Sequence, residues 1–196
     1  MTGLGYSGRT RTASAGFTLI EMLIVLTLIG LVLGIALPKI DVTHYRVESS
    51  MQGVGMVLLS AERQAITQQH DIILTFDQAN NVIHIHEDKN NNAVVDPGER
   101  VHGVSLGEGI VFGRGAAPAR PMGPGPVVFT KIINGFPALV FHRDGSASEA
   151  GGFYLTSIRA ATSGQHTEDS RSIEIERATG RAMWYKYGAP AWRRAF

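Results

Sequence analysis

The chain has 196 residues, which is enough for one globular domain and an appendage. It contains no cysteine, and this excludes disulfides, cysteine-based zinc sites and thiol catalysis. The formal net charge of +1 favours no class of partner, although the charges are unevenly placed along the chain.

The N-terminal region divides into a polar leader and an apolar run. Residues 1–16 are basic through Arg9 and Arg11, and residues 17–37 are almost wholly apolar. As a helix this run would be about 31 Å long, close to the thickness of a bilayer core. A secretory signal peptide is the alternative, but its apolar core is shorter and an Ala-x-Ala site follows it. The pattern therefore predicts a membrane helix with a cytoplasmic N-terminus.

One carboxylate, Glu21, interrupts the apolar run. An unpaired charge in hydrocarbon costs several kcal/mol, so Glu21 needs a cation. No Lys or Arg lies between Phe17 and Pro38. A new α-amino group, made by cutting the chain between Gly16 and Phe17, would supply one.

Gly16-Phe17-Thr18-Leu19-Ile20-Glu21, followed by an apolar helix, resembles the N-terminal signature of type IV pilins and type II secretion pseudopilins. The resemblance implies cleavage after Gly16 by a prepilin peptidase, which also methylates the new N-terminus at Phe17. It implies that Glu21 pairs with the terminal amine of a neighbouring subunit during assembly. Pro38 lies where the family often has a helix-kinking proline.

A second helical pattern follows, and we expect it to end near Gln69. Apolar residues recur there at spacings of three and four, which places them on one helical face that should pack on a sheet. They are Val47, Met51, Val54, Leu58, Ala61 and Ala65. Gly53 and Gly55 should weaken the helix locally.

From Asp71 onward, short apolar or alternating runs separated by turn residues predict strands. We expect them at 72–76, 82–86, 101–104, 110–112, 127–133, 138–142, 153–158, 172–176 and 181–187. Residues 113–126 are expected to be a loop and residues 159–171 a polar, mobile segment. A long helix followed by strands indicates an α+β fold, with a small antiparallel two-sheet head. The expected segments are a leader (1–16), a transmembrane helix (17–38), a helix continuing into the head (39–70) and the periplasmic head (71–196).

The head carries a second resemblance. Residues 141–148, Phe-His-Arg-Asp-Gly-Ser-Ala-Ser, followed by Gly151-Gly152 and a strand, resemble the late hairpin of H-type minor pseudopilins and their FimT-like relatives. Thr179-Gly180-Arg181 and the loop 88–99 also fit that group. This implies a subunit that is anchored in the inner membrane and then lies near the tip of a short periplasmic filament, which helps push folded proteins through an outer-membrane channel. The implied partners are other pseudopilins, the prepilin peptidase and the inner-membrane assembly platform.

The C-terminal segment indicates an alternative function, which is DNA binding by a FimT-like minor type IV pilin. FimT-like proteins are associated with DNA uptake. The basic residues of this segment, interleaved with aromatics, are of the kind that bind phosphates and stack on bases. They are Arg177, Arg181, Lys186, Arg193 and Arg194. Gly180-Arg181-Ala182-Met183 matches only the first half of the expected Gly-Arg-x-Arg pattern. The other interpretation is an edge strand kept soluble by Lys and Arg.

No cofactor is required by this interpretation, but the loop 88–99 has oxygen ligands at calcium-binding positions. Asp88, Asn90, Asn92, Asp96 and Glu99 occupy positions 1, 3, 5, 9 and 12 of a twelve-residue stretch. Position six is Ala93 where the calcium motif has glycine, and strands rather than helices flank the stretch. The alternative is a solvated turn.

Two weaker patterns concern metal binding and catalysis. His84 and His86 share one strand face, and His102 could join them at a zinc site. More commonly such histidines form the exposed face of a hairpin. His142, Asp144 and Ser146 have the residue types of a hydrolase triad, but they are too close in sequence to converge. We therefore expect no enzyme.

Overall fold

The computed structural model describes residues 16–36 and 41–195. Pro38, the predicted kink, and the leader residues 1–15 lie outside the described residues. The chain forms two compact units that divide between Asp41 and Val42.

The first unit contains helix α1 (Leu19–Ala36). The helix begins after Thr18, whose hydroxyl oxygen accepts a hydrogen bond from the backbone N–H of Glu21 at 3.3 Å. This is N-capping by a threonine side chain. Its large apolar side chains from Leu19 to Leu33 are exposed. Within residues 16–36 and 41–195, no helix has both the length and the apolarity needed to cross a membrane.

Helix α2 (Thr43–Gln68) opens the second unit. Its buried side chains are the six that the sequence spacing predicts: Val47, Met51, Val54, Leu58, Ala61 and Ala65. The helix ends at Gln68, and the next residue, Gln69, caps it in the left-handed conformation with φ of 59°. The predicted buried face and the predicted end are both confirmed.

The strands that follow form two antiparallel sheets, as the predicted fold class requires. In chain order they are β1 (Asp71–Asp77), β2 (Val82–Asp88), β3 (Val101–Ser105), β4 (Ile110–Phe112), β5 (Ile132–Ile133), β6 (Phe136–Phe141), β7 (Gly151–Ser157), β8 (Arg171–Ile175), β9 (Ala182–Gly188) and β10 (Ala191–Arg194). The first sheet has the order β3-β2-β1-β6-β5, and the second has the order β10-β9-β8-β7-β4.

The core of the head lies between α2 and the two sheets. Phenylalanines from both sheets meet there: the ring centroids of Phe76 in β1 and Phe153 in β7 are 4.9 Å apart. Phe112 and Phe129 pack beside them. The contact of aromatic rings across the two sheets holds the head together as one unit.

The prediction of one strand over residues 127–133 is wrong. Val127 makes only an isolated bridge with Phe153, and pairing resumes in the short strand β5. Between them, the backbone N–H groups of Thr130 and Lys131 both donate to the carboxylate of Glu149 at 2.9 Å. A side chain thus replaces the sheet partner where the chain passes from one sheet to the other.

The prediction of a mobile segment over residues 159–171 is also wrong. Helix α3 (Ile158–Ser163) and a 3-10 helix (Thr167–Asp169) occupy it. The fully buried Asp169 accepts hydrogen bonds from Arg159 Nε at 2.8 Å and from Ser157 Oγ at 2.6 Å. Burial acts to raise the pKa of Asp169, but these two partners hold it below its ordinary value. Buried ionic contacts therefore order this polar segment.

Candidate assembly and binding surfaces

The predicted cleavage and assembly residues lie at the start of α1. Gly16 and Phe17 precede the helix, and the Phe17 side chain is 72% exposed. Glu21 lies in the first turn, where the positive end of the helix dipole favours a carboxylate. Glu21 is exposed and forms no ion pair within the described residues. Its carboxylate is therefore accessible to a cation from another molecule.

Of the five residues proposed as calcium ligands, Asp88 is the last residue of β2, and the other four lie in the loop between β2 and β3. The carboxylate of Asp88 accepts hydrogen bonds from the backbone N–H groups of Asn92 at 3.1 Å and Ala93 at 2.7 Å. Asp96 accepts bonds from the side-chain amides of Asn90 and Asn92, each at 2.7 Å. Many polar groups of this loop therefore already have hydrogen-bond partners among residues 88–99.

Glu99 ends this loop in a buried position. Its carboxylate accepts hydrogen bonds from the backbone N–H of Asp96 at 3.0 Å and from His86 Nε2 at 2.8 Å. These bonds lower the pKa of Glu99 to about 2, with Asp96 the larger cause. Within residues 16–36 and 41–195, no group of three or more His, Cys, Asp or Glu side chains could hold a metal ion.

The three histidines of the zinc hypothesis do not converge. His84 and His86 share one face of β2, but His102 is paired with Ile85 and so lies on the opposite face. His86 is 5% exposed, because the loop 88–99 covers it, and the expectation that both histidines face solvent is wrong for this residue. Ile83 and Ile85, which alternate with the histidines along β2, are buried in the core.

The residues that resemble a triad form a turn after β6. His142 Nδ1 lies 2.9 Å from Asp71 Oδ2, and Ser146 Oγ donates to Asp144 Oδ1 at 2.6 Å. The hydrogen bond from Ser146 lowers the pKa of Asp144. No hydrogen bond joins the histidine to the serine hydroxyl, so the relay of a hydrolase is not formed.

The basic C-terminal residues lie on a turn and a hairpin. Arg177 and Arg181 are exposed beside the turn between β8 and β9. Lys186 in β9 is paired directly with Arg193 in β10, and both are exposed. Arg194 is also exposed and is paired with Tyr185. Sequence reasoning missed β10, which is connected to β9 by a turn containing the cis Ala189-Pro190 bond.

The aromatic side chains of this hairpin contact the protein itself. Trp184 packs against the core beside α2. Trp192 Nε1 donates to the carbonyl of Pro118 at 2.9 Å, and the guanidinium of Arg120 lies 3.5 Å from the ring centre of Tyr185. Arg120 also pairs with Glu174, and no spacing in the sequence indicated this residue. The basic and aromatic residues that alternate in this segment therefore do not form an open surface on which nucleic-acid bases could stack.

Comparison with known protein families gives a match for the N-terminal segment of the chain. Residues 11–37 match the family model described as the prokaryotic N-terminal methylation motif, which confirms the type IV pilin-like N-terminus. No curated protein matches the chain. Among solved structures, the chain is similar to the minor pseudopilin EpsH from the Type 2 Secretion System of Vibrio cholerae. The identity is 14% and the TM-score 0.45, covering 72% of this chain and 97% of that chain. A likeness at this level carries no argument about function.

Proposed function

We propose that the chain is a structural subunit of a type II secretion pseudopilus, a minor pseudopilin of the H type. The observation that carries the proposal is the N-terminal methylation motif at residues 11–37, which includes the apolar helix α1. The internal hydrogen bonding of polar clusters in the head, Ser146 with Asp144 and His86 with Glu99, supports a structural role. In this role the subunit is anchored in the inner membrane and its head lies in the periplasm.

The mechanism is assembly through charge pairing. Cleavage after Gly16 leaves an amine at Phe17, and Glu21 of an adjacent subunit pairs with it. A carboxylate and an amine that meet in an apolar setting attract strongly, whereas either one left unpaired is costly. The pairing therefore fixes the axial register of one subunit on the next, and the exposed apolar side chains of α1 supply the packing.

Mass spectrometry of the native protein tests the processing step. We expect a mature chain that begins at Phe17 and carries one additional methyl group. Glu21→Gln keeps the size of the side chain but removes its charge, so this variant should be cleaved and yet fail to enter filaments. Retention of residues 1–16, or normal assembly of Glu21→Gln, would refute the proposal.

Deletion of the gene tests whether the protein acts in protein export or in DNA uptake. We expect secreted enzymes to accumulate inside the mutant cells while DNA uptake is unaffected. Restoration of export by the wild-type gene, and not by the Glu21→Gln variant, would link the defect to assembly. Normal export in the mutant would overturn the secretion role.

DNA binding at the C-terminal hairpin is the second candidate function. Its specific support is the direct cross-strand pairing of Lys186 with Arg193. Like charges placed opposite each other destabilise a hairpin, and a polyanion would relieve this repulsion. A gel shift at low and moderate salt tests the idea with Lys186→Ala/Arg193→Ala and, as a control, the exposed Arg100→Ala. Absence of salt-sensitive binding, or equal loss in the control, excludes it.

A further inference from the structure

We propose that the cleft between the start of α2 and the segment that joins β3 to β4 holds a phospholipid with a zwitterionic headgroup, such as phosphatidylethanolamine. One acyl chain lies in the cleft, and the headgroup lies on its rim. The inference rests on the membrane anchoring proposed above, and it adds a specific contact between the head and a lipid molecule.

The cleft has an apolar floor. Its volume is about 520 Å³, and Val54, Leu106 and Ile110 line it. These three side chains belong to the core of the head and are 2%, 2% and 3% exposed. Gly53 leaves the α2 side of the cleft open, because a Cβ there would meet nothing within 4 Å. A hydrocarbon chain in this cleft is removed from water, which is favourable.

The rim of the cleft carries two opposite charges. Among the described residues that line the cleft, only Arg46 and Glu108 are charged. Arg46 Nη2 lies 3.5 Å from Glu108 Oε2, and the two side chains are 49% and 86% exposed. This separation is longer than that of a normal hydrogen bond. Neither side chain has another partner within the described residues, so both charges can still bind a ligand.

These two charges select the headgroup. A guanidinium binds phosphate oxygens with two parallel hydrogen bonds, so Arg46 fits the phosphate of a phospholipid. The carboxylate of Glu108 attracts an ammonium group. A headgroup with both groups therefore satisfies both side chains, whereas a purely anionic headgroup places its phosphate beside Glu108 and offers no cation. The apolar floor and the paired charges together match a zwitterionic phospholipid.

The position of the cleft in the sequence gives the source of the lipid. Val42, on the rim, is six residues beyond Ala36, the last residue of α1. A chain of that length spans at most about 20 Å. Val42 and Tyr45 on the rim are 44% and 73% exposed, and tyrosine is enriched at membrane–water interfaces. In the anchored protein, the lipid therefore comes from the bilayer that holds the apolar helix of the same chain.

Photo-crosslinking of the full chain in nanodiscs of phosphatidylglycerol tests the proposal. The probe is phosphatidylethanolamine with a diazirine in one acyl chain, and phosphatidylglycerol with the same diazirine is the comparison. We expect peptide mass spectrometry to locate the ethanolamine probe in residues 47–63 and 101–114. The glycerol probe should label these residues at least about tenfold less, because it offers Glu108 no cation.

Labelling of residues 17–36 separates this inference from the proposed function. Both probes should label these residues if the apolar helix lies in the bilayer. Label there without label in residues 47–63 and 101–114 overturns the lipid site and leaves the anchoring intact. Absence of label in residues 17–36 overturns the anchoring and the lipid site together.

Two kinds of variant test the cleft itself. Gly53→Phe places a ring in the cleft and should lower labelling by the ethanolamine probe at least about tenfold. Thr67→Phe places the same ring on the exposed last turn of α2, outside the cleft, and should keep it. Arg46→Gln/Glu108→Gln should reduce labelling to that of the glycerol probe, and thermal unfolding checks that each variant is folded. Equal labelling of the wild type by both probes, or full labelling of a folded Gly53→Phe, overturns the proposal.

Discussion

The imidazole Nε2 of His86 lies 2.8 Å from Glu99 Oε2, and both side chains are buried where the loop 88–99 returns to the sheet. The backbone N–H of Lys89 donates to the same carboxylate at 2.9 Å. Glu99 therefore joins the beginning and the end of the loop to strand β2. Bonds to an ionised carboxylate are stronger than neutral ones, so this loop depends on the charge of Glu99.

Acid should weaken this anchoring. The pKa of Glu99 falls from 4.5 to about 2 on folding, so the unfolded state binds more protons between those values. The stability from Glu99 is thus present above pH 4.5 and is lost as the pH falls toward about 2. We expect Glu99→Gln to flatten the dependence of melting temperature on pH in this range, measured by circular dichroism. Glu108→Gln, on another loop, is the control, and an unchanged slope in Glu99→Gln would contradict the expectation.

Calcium should raise the melting temperature of the protein if the loop 88–99 binds it, because a ligand of the folded state alone stabilises that state. Asn90 and Asn92 now direct amide donors toward Asp96, so binding requires them to turn their oxygens to the ion. A titration to about millimolar calcium measures the shift. Asp96→Ala should abolish it, and magnesium serves as the comparison ion. No shift with calcium in the wild type would exclude the site.

Much of the fold follows from the sequence because two periodicities are strong. The three-and-four spacing of α2 identified its buried face, and alternation located the strand β8, whose Ile173 and Ile175 are 0% and 3% exposed. Failures occurred where the stabilising partner is distant in sequence. Thr130 bonds to Glu149, and no local pattern indicates such a contact.

The surfaces were harder to predict than the fold. The order of residues in the C-terminal segment does not reveal that Trp192 reaches Pro118, 74 residues earlier. The residue patterns of β2 and β3, taken separately, also do not reveal that His102 lies on the face opposite to His86. That placement depends on the register of β3 against β2. Register is a property of two strands together, and a single strand pattern leaves it open. The N-terminal motif could be predicted because its function depends on contiguous residues.

Two adjacent leucines of α2 test how the helix docks on the head. Leu58 is 1% exposed and lies in the core, whereas Leu59 is 47% exposed. Leu58→Ala should lower the free energy of unfolding by about 2–5 kcal/mol, because it removes buried surface and leaves a cavity. Leu59→Ala should change it by less than about 0.5 kcal/mol. Urea denaturation of both variants measures the difference, and similar losses would show that α2 docks through another face.

Two glycines of α2 should respond in opposite directions to the same substitution. A Cβ at Gly53 would meet nothing within 4 Å, so Gly53→Ala should stabilise the protein by about 0.5–1 kcal/mol through helix propensity. A Cβ at Gly55 would lie 3.0 Å from the Trp184 ring, which must then move. Since Trp184 packs against the core, Gly55→Ala should destabilise the protein by about 1 kcal/mol or more. Thermal unfolding compares them, and an equal gain in both variants would show that the indole ring of Trp184 shifts at no cost.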